Sequence, residues 1–214
     1  MKKILLSLVT LLFLSANAFA GMNIGIKGAI TGLSTDGTET TKSSSEKNTG
    51  SKDETVVVPS IFVEFQNDSG IALGIDYVPG EAELGSGTGS NDDNETDGAN
   101  KASAELSGHA TVYALIPVGS KGGYLKGGIA SASVDTTETL ATGTTYGNED
   151  VLGLMVGVGL QKTADNGLFI RVEGTYTDYE DISLKGSLDG DSVRNTVDAD
   201  VDALAFGLSI GKSF

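Results

Sequence analysis

The chain ends "LAFGLSIGKSF", residues 204–214, and the reading of this stretch decides the fold. Leu204, Phe206, Leu208, Ile210 and Phe214 fall on even positions, and Ala205, Gly207, Ser209, Gly211 and Ser213 stand between them. A period of two is the signature of a β-strand. One face is apolar and the other is nearly free of side chains. A strand face turned to water ordinarily carries Lys, Glu and Thr. Small residues suit the interior of a narrow closed barrel. The expectation is therefore an apolar face turned outward to lipid and an Ala/Gly/Ser face turned inward.

The same alternation recurs upstream. Eight segments are predicted as strands: 22–33, 55–66, 70–84, 103–117, 123–134, 151–162, 168–184 and 201–214. The outward set includes Leu152, Leu154, Val156, Val158 and Leu160, then Leu168, Ile170 and Val172, and also Ile71, Leu73 and Ile75. Gly153, Gly157 and Gly159 lie on the opposite face. Short turns, "NDSG" at 67–70, "GSKGG" at 119–123 and "TADNG" at 163–167, alternate with long polar segments at 34–54, 85–102, 135–150 and 185–200. Gly and Asn close hairpins cheaply because they tolerate positive φ. Short turns at one end and long loops at the other describe an eight-stranded antiparallel up-and-down transmembrane β-barrel. An even strand number puts both termini at the periplasmic end and the long loops outside. The Ser/Thr/Gly/Asp composition of those loops predicts mobility.

Charges within the strands give a second constraint. Lys27, Glu64, Asp76, Lys126, Arg171 and Glu173 are assigned to the inner face, three of each sign. Unpaired charge in a narrow interior is costly, so a paired internal network is expected. Tyr77, Tyr113, Tyr124, Tyr176 and Tyr179 are read as girdle aromatics at the strand ends.

The first twenty residues, "MKKILLSLVTLLFLSANAFA", read as a cleavable export signal. Lys2 and Lys3 form its charged start, Ile4 to Leu14 its apolar stretch, and Ala18 and Ala20 flank Phe19 in an A-x-A cleavage site. The barrel domain is then 21–214. The net charge of the 214-residue chain is −15, and loss of Lys2 and Lys3 makes it more negative still. That balance excludes nucleic acid as an expected partner. Cysteine is absent, which removes disulfides and thiolate chemistry.

Two constellations bear on chemistry. His109, the sole histidine, shares a predicted face with Ser107 and Glu105, an inventory suited to acyl hydrolysis. Alternate strand residues lie about 6–7 Å apart, beyond direct hydrogen bonding, so a solvated or rim histidine and no enzymatic activity are expected. "DDNETDG" at 92–98 places Asp93, Glu95, Asp97 and Gly98 as in the start of an EF-hand loop, but Ala104 stands where the bidentate Glu belongs. No cofactor is expected, beyond weak Ca²⁺ or Mg²⁺ binding by acidic loops.

The stretch "GLMVGVGLQKTADNGLFIRVEGTYTDYEDISL", 153–184, resembles the small Gram-negative outer-membrane β-barrel superfamily, which includes OmpA transmembrane-domain-like, opacity-like and porin-annotated surface proteins. "GYLKGGIA" at 123–130 and "GIALGIDYVPGEAELG" at 70–85 resemble other strands of that superfamily. The terminal strand is similar to its assembly signal, matched here by Phe206, Leu208, Ile210 and Phe214 and broken by Lys212. The resemblance implies an outer-membrane location, recognition by the barrel-assembly machinery, and lipid and lipopolysaccharide as surroundings. The leading expectation is a monomer with a structural or surface-interaction role, presenting acidic loops to the outside. A narrow, low-conductance pore is the alternative, and a lipid-A-modifying barrel enzyme comes third.

Overall fold

Alternating side chains along the chain make ten strands and no helix among the described residues. The computed structural model describes residues 21–41, 45, 47–91, 98–140, 143–188 and 192–214. The export signal with Ala18 and Ala20, and Asp93, Glu95 and Asp97, lie outside them. The strands are β1 (Gly21–Thr41), β2 (Lys47–Gln66), β3 (Ala72–Tyr77), β4 (Glu81–Asn91), β5 (Gly98–Val118), β6 (Gly123–Thr139), β7 (Glu149–Thr163), β8 (Leu168–Tyr179), β9 (Ile182–Leu188) and β10 (Ser192–Ser213).

They form one antiparallel ring of eight positions, β1-β2-β3-β5-β6-β7-β8-β10, closed by β10 on β1. β4 continues the place of β3 beside β5, and β9 continues that of β8 beside β10. The closing seam runs from Asn23↔Ser213 to Thr41↔Asn195. Met22 and Phe214 exchange backbone hydrogen bonds at its lower end.

The outer surface of the lower barrel is an apolar belt. Ile26, Ile30, Leu154, Val158, Ile170, Phe206, Leu208 and Ile210 are each more than half exposed. A belt this continuous suits hydrocarbon rather than water. The small inner face has a steric cause. A Cβ on Gly25 would overlap the Phe62 ring, one on Gly211 the Phe169 ring, and one on Gly159 the Tyr124 ring. The glycines are thus the space into which interior aromatics fit.

Farther up, the wall reverses polarity. Leu33, Leu84, Leu106, Val134, Val151, Ile182 and Val201 are buried inside. Polar side chains bond along the outside, including Ser34 to Asp53 (2.8 Å), Ser133 to Asp150 (2.7 Å) and Ser183 to Asp198 (2.8 Å).

Three expectations are corrected. The segments read as mobile loops at 34–54, 85–102 and 185–200 are largely strand, and β6 extends through Thr139. β1 and β2 pair without interruption from Gly21↔Gln66 to Thr40↔Lys47. Ser, Thr and charged residues alternate there without apolar contrast, yet Thr favours the pleated backbone and the ladder satisfies its own polar groups. Segments 70–84 and 168–184 are each two strands, interrupted at 78–80 and 180–181. Tyr113, Tyr124 and Tyr179 point inward and are buried, leaving Tyr77 and Tyr176 exposed on the outside. Tyr124 shares the inner face of β6 with Lys126, and Tyr179 shares that of β8 with Arg171 and Glu173.

Candidate functional site

The lower interior is filled by the six charged residues assigned to it. Arg171 and Glu64 form a two-pronged pair, 2.6 Å from Nη1 to Oε1 and 2.8 Å from Nη2 to Oε2. Glu64 also accepts from Tyr113 Oη (2.7 Å) and Asn23 Nδ2 (3.1 Å), so both its oxygens are satisfied in a site with 0% exposure. Gln161 Oε1 accepts from Arg171 Nε and Nη2 at 3.1 and 2.7 Å. The guanidinium lies among the rings of Phe62, Tyr124 and Phe169, 5.1–5.3 Å from their centroids. Lys126 Nζ donates to Glu173 at 3.0 Å, sits 4.1 Å from the Tyr113 ring centroid, and shares Glu173 with Tyr124 Oη. Lys27 binds Asp76 at 2.6 Å and lies 3.5 Å from Glu173. Buried charges persist where every partner is supplied, and here the charges and their partners come from seven strands, β1, β2, β3, β5, β6, β7 and β8.

Sequence reasoning found the charges and missed Asn23, Tyr113, Tyr124 and Gln161. Their signal was available in parity: Asn23 shares a face with Lys27, and Gln161 with Gly157 and Gly159.

Above this floor the wall opens. β2 pairs with β3 only from Gln66↔Ala72 to Ile61↔Tyr77. Beyond that, Val78-Pro79-Gly80 breaks the strand, and β4 bonds to β5 alone. Two of the three prolines, Pro59 and Pro79, flank the opening, and proline has no N–H to give a ladder. The top of the opening is spanned by Lys52 and Glu83, 3.9 Å apart. The other interruption is sealed: Glu180 N–H donates to Leu152 O (2.7 Å), Ser183 N–H to Glu149 (3.3 Å), and Thr145 bridges Ser187.

Behind the opening lies a cavity of about 140 Å³. Val56, Val58, Val78 and Ala82 line its mouth, Met155, Leu106 and Ala203 its walls, and the Lys27–Asp76 pair and Lys126 its floor.

His109 also lines this cavity. A β-bulge between Ser107 and Ala110, with Gly108 at φ +59°, reverses the facing of β5. His109 therefore turns inward. Ser107 turns outward and bonds to Asp135, and Glu105 is exposed on that same outer face. The expected shared face of His109, Ser107 and Glu105 does not exist, and His109 is not at a solvated rim. Among the described residues no three His, Asp or Glu side chains converge to hold a metal ion.

No protein-family model and no curated protein matches the sequence. Solved structures do. The outer membrane protein OprG from Pseudomonas aeruginosa superposes with a TM-score of 0.60 at 13% identity, over 92% of this chain and 97% of that one. The chain has the fold of the small Gram-negative outer-membrane β-barrels. Two further barrels agree: the Escherichia coli outer membrane protease OmpT (TM-score 0.53, 9% identity, 91% of this chain and 97% of that one) and the outer membrane protein AlkL (0.52, 10%, 92% and 90%).

Within this outer-membrane barrel fold the terminal strand takes its place in the seam. Phe206, Leu208, Ile210 and Phe214 all project outward, with Phe214 69% exposed at the rim. Lys212, the departure from the assembly-signal pattern, donates from Nζ to the Asn166 carbonyl in the neighbouring turn.

Proposed function

We propose that this chain is an outer-membrane barrel that exchanges a small, mainly apolar molecule between its interior cavity and the surrounding lipid, through the wall between β2 and β4. The observation that carries the reading is the loss of β2 pairing directly in front of an apolar-mouthed cavity. Elsewhere, among the described residues, the ring is bonded or bridged. The expected alternative, a narrow axial pore, has less support. An axial path would have to pass Arg171 and Glu64, both at 2% exposure or below and locked to each other.

The tall outer wall favours a second role at the surface. β1 and β2 remain paired well above the apolar belt, and Asp36, Asp53, Asp200 and Asp202 face outward there. This acidic, ordered wall suits contact with lipopolysaccharide through divalent cations. The same reading puts both termini on the periplasmic side, makes Phe214 part of the signal for the assembly machinery, and takes the barrel as a monomer.

The exchange reading is tested by closing the wall. The chain has no cysteine, so Val57→Cys with Glu81→Cys gives one defined pair, at positions the register below would set opposite each other. Joined by a short bis-maleimide in liposomes with a lipopolysaccharide outer leaflet, the pair should abolish protein-dependent entry of toluene. The unjoined variant should retain it. Equal entry before and after joining would refute lateral exchange.

A further inference from the structure

One buried polar group on the lining of the cavity behind the wall has no partner in the protein. His109 Nδ1 is buried without a hydrogen-bond partner. Leaving such a group unmade costs about 1–3 kcal/mol. The ring is nevertheless held in place. It packs edge-on against Tyr179, with centroids 6.3 Å apart and planes at 69°. Its backbone carbonyl accepts from Val78 N–H at 3.0 Å, at the point where β3 ends. The bulge at Gly108 sits opposite the Val78-Pro79-Gly80 break, since β5 passes from Ala110 beside Tyr77 to Ser107 beside Glu81. One local distortion thus opens the wall and turns an imidazole into the space behind it.

The lining also limits the charge of an occupant. Lys27 is neutralised by Asp76 and Lys126 by Glu173. No uncompensated charge remains on the floor to attract an ion, and the other charged lining residue, Glu81, is exposed to the outside at the mouth. The cavity, at about 140 Å³, is close to the roughly 150 Å³ of an engineered apolar cavity that takes up benzene.

We infer that the cavity selects a neutral, benzene-sized molecule bearing one hydroxyl, with the apolar body between Val56, Val58 and Met155 and the hydroxyl hydrogen-bonded to the imidazole of His109. A hydroxyl both donates and accepts, so it suits either tautomer of the ring. This deepens the lateral-exchange reading and rests on it.

The test uses two probes of nearly equal shape, 4-fluorophenol and 4-fluorotoluene, added to the full barrel in lipid nanodiscs, with empty nanodiscs as reference. His109 is the only histidine, so ¹⁵N-histidine labelling gives one imidazole to watch. Both probes should show saturable ¹⁹F signals from the protein. Only 4-fluorophenol should shift the imidazole ¹⁵N resonances, and it should bind about three- to tenfold more tightly relative to its partition into empty nanodiscs. His109→Leu should remove that preference and leave 4-fluorotoluene bound. Equal binding of both probes with no imidazole shift would overturn the selection by His109 and leave the exchange reading standing. Saturable binding of neither would overturn both.

Discussion

The Val78 backbone N–H donates to the His109 carbonyl at 3.0 Å, and this is the last rung between the β3 segment and β5 before the strand breaks at Pro79. On one side of that rung the wall is continuous. On the other, β2 and β4 part, and His109 faces the space between them and the charged floor.

Gly108 makes this geometry affordable. Its φ of +59° is a conformation that L side chains rarely adopt, and a Cβ there would meet nothing within 4 Å. The penalty of Gly108→Ala is therefore conformational, about 1–2 kcal/mol. The midpoint of urea unfolding should fall accordingly. Gly28→Ala, equally open but without positive φ, should leave it in place.

Arg171 is held by a fully buried carboxylate. Arg171→Leu strands Glu64 and should cost about 3–5 kcal/mol. Adding Glu64→Gln removes the stranded charge and keeps an acceptor for Tyr113, so the double variant should recover most of the loss. Unfolding midpoints in detergent, read by the gel shift of unheated protein, compare the two.

Phe169 fills the space that Gly211 leaves on the neighbouring strand. Gly211→Val overpacks this contact and should cost about 1–3 kcal/mol. Combined with Phe169→Ala it should cost less than the sum of the single changes, with a coupling of about 0.5–3 kcal/mol. Strict additivity would mean that the ring does not occupy that space.

Outside the membrane belt, Asp200 is hydrogen-bonded to Asp181, and that bond and the neighbouring negative charge raise its carboxyl above the ordinary value of 3.8. A raised carboxylate favours the folded state at low pH. That contribution is lost as pH rises through the folded value and the two acids repel. A ¹³C titration of the Asp200 carboxyl should show the upward displacement, and Asp181→Asn should reduce it.

Much of this was readable from alternation. The terminal strand, the outward apolar residues and all six interior charges follow from parity, because lipid and a narrow lumen impose opposite chemistry on adjacent residues. Parity failed where it carried no contrast. The Ser/Thr-rich extensions of β1 and β2 are strands held by their ladders, not by apolar faces. It failed again at Gly108, where one bulge inverted the faces of β5 and separated His109 from Ser107 and Glu105. The opening itself left a trace, Pro59 and Pro79, but only the register shows that the two flank the same gap.

The open wall is tested most directly by backbone NMR contacts between strands in lipid nanodiscs. Contacts between β2 and the β3–β4 segment should run from Gln66/Ala72 to Ile61/Tyr77 and stop, while those between β1 and β2 continue to Thr40/Lys47. Amide contacts extending between residues 53–59 and 79–85 would mean that the wall is closed and would contradict lateral exchange.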